Sequence, residues 1–131
     1  MKLLLCLISA QHVPNLLSVH AVRPDKLILL VSKKMEEPAS WIIEALAFGG
    51  LDYGTRCDLV QVKKTNSIDH TKNVLQAIYE KYPGAEWIVN LTGGTKPMSM
   101  GAYEFFKNKG AKMLYIPEAE QTQALDLSGA V

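Results

Sequence analysis

The stretch Asn90-Leu91-Thr92-Gly93-Gly94-Thr95-Lys96-Pro97-Met98 has the composition of an anion-binding loop. Its glycines let backbone N–H groups approach a charged oxygen closely, its threonines add hydroxyls, and its lysine supplies a cation. It is not a Walker A loop, which needs Gly-Lys-Ser/Thr with a glycine five positions earlier, whereas the order here is Gly-Thr-Lys. Nor is it Gly-x-Gly-x-x-Gly. The plain alternative is a tight strand-to-helix turn in which Thr95 caps the helix and Lys96 is solvated. His12 has acid–base chemistry, but nothing is spaced as a triad partner, so no catalytic residue is assigned. No Cys/His cluster has metal-ligand spacing, so no metal is assigned.

The elements that must position this loop are legible in the apolar pattern. Residues 2–9 and 26–32 are nearly continuous apolar runs, each ending in a serine, as strands covered on both faces require. Residues 58–62 form a more alternating third strand, 86–91 a fourth and 111–116 a fifth, and 121–127 are expected to add an antiparallel edge strand. Between them, residues 15–22 predict a helix with Leu16, Leu17, Val19 and Ala21 inward. Trp41, Ile42, Ala45, Leu46 and Phe48 form the stripe of a second helix ended by Gly49-Gly50. Ser67 or Asp69 caps a third with Leu75, Ile78, Tyr79 and Tyr82 on one face, and Pro97 opens a fourth with Met98, Ala102 and Phe105. Trp41, Trp87, Phe105 and Phe106 read as core.

This alternation predicts a single α/β domain over residues 1–131: a Rossmann-like, doubly wound, mainly parallel sheet of five to six strands with helices on both faces. In the order 3-2-1-4-5 the winding reverses between strands 1 and 4, so a ligand binds outside their carboxyl ends. The loops that meet there are Ser9-Ala10-Gln11 and Leu91-Thr92-Gly93-Gly94-Thr95-Lys96, with Asn15 one helical turn later. Ser32 and Lys33, at the end of the second strand, sit beside the same crevice. Lys63-Lys64, after the third, reads as a solvated pair. A nicotinamide or flavin cofactor is not expected, because no glycine fingerprint follows strand 1 and Ser32-Lys33 stands where an acidic residue would end strand 2.

A net charge of +1 argues against a surface built for duplex DNA or anionic membrane, and 48% hydrophobic residues is ordinary for a globular domain. Cys6 and Cys57 read as buried reduced thiols. The apolar start is too short to span a bilayer and lacks a small-residue cleavage site, so it reads as a first strand of a cytoplasmic protein.

Residues 90–106, from Asn90-Leu91-Thr92-Gly93-Gly94-Thr95-Lys96-Pro97-Met98 through Glu104-Phe105-Phe106, resemble the CRISPR-associated Rossmann fold (CARF) domain. That domain is the sensor module of cyclic-oligoadenylate-activated effectors in type III CRISPR defence. Ser9-Ala10-Gln11, followed by Pro14-Asn15-Leu16, is similar to the first loop of the subfamily that carries restriction-endonuclease-like nuclease domains. The resemblance implies a homodimer holding a cyclic oligoadenylate, commonly cyclic tetra-adenylate, across its two-fold axis. By the same resemblance Thr92, Gly93, Gly94, Thr95 and Lys96 hold phosphates and riboses, Ser9, Ala10, Gln11 and Asn15 contact adenosines, and Met98 lines the pocket floor. It implies further that the effector domain lies outside this chain, in the full-length protein or a partner, and a transmembrane effector would tether the domain to a membrane. The alternative implied function is a metal-independent ring nuclease. In it a ribose 2'-OH attacks the neighbouring phosphate, Lys96 stabilises the developing charge, and Ser9 or His12 orients the nucleophile.

Overall fold

The computed structural model describes residues 1–9, 12–116 and 125–126. Strands β1 (Lys2–Leu7), β2 (Lys26–Val31), β3 (Cys57–Gln61), β4 (Glu86–Asn90), β5 (Lys112–Tyr115) and β6 (Leu125–Asp126) form one sheet in the order β3-β2-β1-β4-β5-β6. All neighbours are parallel except β5 and β6, which are antiparallel, as expected of a closing edge strand. The rest of the predicted edge segment, 121–124 and 127, lies outside the described residues.

Period-two alternation divides the side chains of β1 between two cores. Leu3, Leu5 and Leu7 face α3 (Ile68–Lys81) and α4 (Lys96–Phe106), where Leu75, Ile78, Ala102, Phe105 and Phe106 complete the cluster. Leu4, Cys6 and Ile8 face α1 (Val13–Val22) and α2 (Glu36–Phe48), against Val19, Ala39, Ile42 and Leu46. Both faces of the central strands are therefore dry, which explains their unbroken apolar sequence. Burial pushes the Cys6 thiol up to about 12, against a lowering hydrogen bond with Ser18. Cys57, half-buried, is pushed to about 11 by the same desolvation. Both cysteines are free.

Two helices present faces other than the predicted ones. In α1 the inward residues are Pro14, Asn15, Ser18 and Val19, with Leu17 and Ala21 exposed, because Asn15 bonds the Leu7 carbonyl and Ser18 the Cys6 thiol of β1 beneath them. In α2 only Ala39, Ile42 and Leu46 are buried; Trp41, expected in the core, is 50% exposed and Phe48 95%. Ala39 and Ile42 already fill the space over β2, so the helix turns its bulkier stripe outward. Trp87, Phe105 and Phe106 are buried as expected. Ser67 caps α3 by accepting from His70 N at 3.1 Å. No helix among the described residues is long and apolar enough to cross a membrane.

At the opposite end of the sheet from the switch-point loops, Asp58 accepts from Lys26 (3.3 Å), Lys81 (3.4 Å) and the Tyr82 hydroxyl. Burial raises its carboxyl pKa, but the bond from Tyr82 and the Lys26 ammonium outweigh that and hold it below 3.8. A depressed folded pKa gives stability that is complete above the unfolded value and is lost as pH falls through the folded one. Wild-type stability is therefore expected to fall more steeply on acidification below 3.8 than that of Asp58→Asn. Urea midpoints measured down the pH scale check this; parallel curves would contradict it.

Candidate ligand crevice at the strand carboxyl ends

The chain winds from β1 through β2 to β3 on one side and from β4 to β5 on the other, so the crevice opens where β1 and β4 lie side by side. The loop leaving β4 is pressed onto the end of β1. Gly93 has φ +95 and Gly94 φ +66, a region that side chains rarely enter. A Cβ on Gly93 would lie 2.4 Å from the Leu7 carbonyl oxygen, and one on Gly94 3.1 Å from Leu7 Cβ. Glycine is required here by close approach as well as by backbone angle.

Beneath the loop is a buried polar network. Asn90 Nδ2 donates to Asn15 Oδ1 and to Pro14 O, both at 3.3 Å, and Asn90 Oδ1 accepts from Thr92 N at 3.0 Å. Asn15 Nδ2 donates to Leu7 O at 3.3 Å. Thr92 Oγ1 accepts from Ile116 N at 2.7 Å. Asn15, expected to contact the ligand, is thus 1% exposed and spends its amide joining α1 to β1 and β4. Thr92, 7% exposed, likewise ties the loop to the end of β5. Their polar groups build the site from below, because burial leaves each one only an internal partner.

Thr95 caps α4, accepting from Met98 N at 3.3 Å, and donates its hydroxyl proton to Thr65 O in the loop after β3. Met98 is 1% exposed and faces the crevice. Lys96, the first residue of α4, is exposed and lies outside the crevice lining.

The crevice is a cavity of about 680 Å³, within the roughly 300–1,000 Å³ range of small-ligand sites. Ile8 and Ser9 bound it on the β1 side and Gly94, Thr95 and Met98 on the β4 side. Ser32 and Lys33 stand at the end of β2, in the single 3₁₀ turn and its cap, and also line it. Ala10 and Gln11 lie outside the described residues. Sequence reasoning missed Lys34 and the far wall, where Gln61 ends β3 and Lys63 and Thr65 follow it. Because β3 is parallel to β2 with Val31 opposite Gln61, their ends share one edge of the sheet, and that position was the available signal.

The chemistry of the lining is one-sided. Ile8, Val62 and Met98 form an apolar floor, Lys33, Lys34 and Lys63 bring three lysines to the lining, and no carboxylate lines it among the described residues. Such a site favours an anion carrying a flat apolar part. His12 stands apart at the start of α1, its ring 5.9 Å edge-on to Trp41 and outside the cavity lining. No group of three or more His, Cys, Asp or Glu able to hold a metal occurs among the described residues.

Among curated proteins, none matches the sequence. The family described as the Card1 CARF domain matches residues 3–130. The chain is similar in structure to Can2 from Sulfobacillus thermosulfidooxidans, solved in complex with cyclic tetra-adenylate, with a TM-score of 0.83 and 25% identity over 98% of this chain and 35% of that one. It is also similar to a type III CRISPR defence DNA nuclease activated by cyclic oligoadenylate, with a TM-score of 0.77 and 25% identity over 98% of this chain and 20% of that one. Csm6 from Enterococcus italicus, bound to cyclic hexa-2'-fluoro-hexa-dAMP, shares the fold, with a TM-score of 0.71 and 18% identity over 94% of this chain and 35% of that one. The chain thus spans about a third, a fifth and a third of these proteins.

Proposed function

Because the chain belongs to the Card1 CARF domain family, we propose that it senses a cyclic oligoadenylate in type III CRISPR defence and passes that signal to an effector domain. The observation that carries this reading is the lining of the crevice: three lysines and no carboxylate, among the described residues, with an apolar floor at the sheet's switch point. A nucleotide ring brings phosphates to the lysines and flat bases to the floor. The cyclic oligoadenylate named for the similar nuclease supports the ligand class, and the cyclic tetra-adenylate named for Can2 supports that ring size here.

In this reading Ser9, Gly93, Gly94 and Thr95 meet the ring from the β1 and β4 side, Ser32 and Lys33 meet it from β2, and Lys96 reaches it from the rim. Asn15 and Thr92 act from beneath by fixing the loop. A two-fold ring fits two copies of the chain about an axis that presents each loop twice, so a homodimer belongs to the proposal. Ligand binding switches the effector only through a difference in affinity between two protomer arrangements.

Titration calorimetry with cyclic tetra-adenylate is expected to show saturable heat at micromolar protein, with affinity falling as salt is added. Lys33→Ala and Lys96→Ala are each expected to weaken binding about tenfold without moving the urea midpoint, since one charge-assisted hydrogen bond is worth that much. Absence of heat with the unmodified protein would sink the sensor reading; an unchanged affinity in either variant would remove that lysine from the site.

A further inference from the structure

The far wall of the crevice carries one group whose chemistry the lysines cannot supply, and this inference rests on the sensor reading above. Ammonium groups only donate, so a rim of lysines suits any surface of acceptors: phosphate oxygens, or the O6 and N7 of guanine. It gives no preference for adenine, whose corresponding edge offers a donor at N6 beside an acceptor at N7. Gln61 is the one amide among the described lining residues. Its side chain is exposed into the crevice and has no hydrogen-bond partner among the described residues. An amide presents an acceptor and a donor side by side, the complement of that adenine edge. The hydroxyls of Ser32 and Thr65 bond through a single rotatable atom and cannot fix such an edge.

The wall bearing Gln61 is also held in place. Gln61 is the last residue of β3 and lies in register with Val31, whose chain continues into the Ser32–Lys33 side of the cavity. Four residues on, Thr65 O accepts the Thr95 hydroxyl, which ties the loop after β3 to the glycine loop across the opening. Gln61 therefore stands between two anchored segments, over a floor of Ile8, Val62 and Met98 that suits a base plane.

We propose that Gln61 is the specificity-determining residue for adenine in this crevice, accepting from N6 and donating to N7. The test compares cyclic tetra-adenylate with cyclic tetra-inosinate, in which the N6 donor is replaced by a carbonyl acceptor, on unmodified protein and on Gln61→Met and Gln61→Leu. Both substitutions fall on an exposed strand end, and Gln61→Met keeps the side chain's shape. The unmodified protein is expected to prefer the adenylate ring by about 10- to 100-fold, and both variants to reduce that preference to less than about threefold. Adenylate binding with the preference intact in both variants would overturn the assignment of Gln61 alone. Failure of the unmodified protein to bind either ring would overturn the sensor reading and this assignment with it.

Discussion

Gly93→Ala is expected to destabilise the protein by about 3 kcal/mol and to dislodge the loop that forms the β4 side of the crevice. Two costs combine. Forcing an L-residue to positive φ costs about 1–2 kcal/mol by itself. In addition, the new Cβ would meet the Leu7 carbonyl oxygen at 2.4 Å, and that contact is relieved only by moving backbone. Gly84 separates the two costs, because it has φ +76 but nothing within 4 Å of where a Cβ would stand. Gly84→Ala should therefore lose only the conformational share, about 1–2 kcal/mol. Urea denaturation of the pair decides the matter: equal losses would mean that the loop's approach to β1 carries no energy. Ligand affinity should fall in Gly93→Ala and stay unchanged in Gly84→Ala.

Asn90→Leu is expected to cost more, about 3–5 kcal/mol out of the roughly 5–15 kcal/mol that holds a domain together. Asn90 is fully buried and serves Asn15 Oδ1, Pro14 O and Thr92 N at once. Leucine matches it in bulk and leaves those three groups in a dry interior without these bonds, at about 1–3 kcal/mol for each one left unsatisfied. Asn90→Asp gives a distinct signature. It keeps the acceptor for Thr92 N, but its buried carboxylate has its pKa raised by desolvation, so folding favours the protonated form. Its stability should rise as pH falls through that raised value, while Asn90→Leu shows no such gain. A flat response in Asn90→Asp would mean that water reaches the network.

The architecture was legible because parallel strands buried on both faces leave unbroken apolar runs, and the runs ending at Ser9 and Ser32 mark the same sheet edge. The face of α1 was not. Leu16, Leu17 and Ala21 are as apolar as Val19, so periodicity alone does not choose among them. The deciding contact joins Asn15 to Asn90, 75 residues away. Trp41 misled for a related reason: an aromatic at helical spacing looks like core, yet Ala39 and Ile42 already cover the sheet. Of the crevice, the loops after β1 and β4 could be placed from the switch-point rule, whereas Lys63 reads in sequence like any solvated lysine and gains its position only from β3 lying beside β2.

The hydrogen bond from Ile116 N to Thr92 Oγ1 has a mechanical consequence for the crevice. With Leu91 N bonded to Leu114 O at 2.7 Å and Asn90 locked to α1, the β4 side is fastened to β5, β1 and α1 together. Across the opening, Lys33, Lys34, Gln61 and Lys63 end in side chains with no partner among the described residues. The β2 and β3 ends are themselves fastened, by Val62 N to Val31 O at 2.7 Å and by the Thr95 hydroxyl to Thr65 O. The crevice is therefore a stiff frame with a compliant lining, and an arriving ligand does its mechanical work on those side chains.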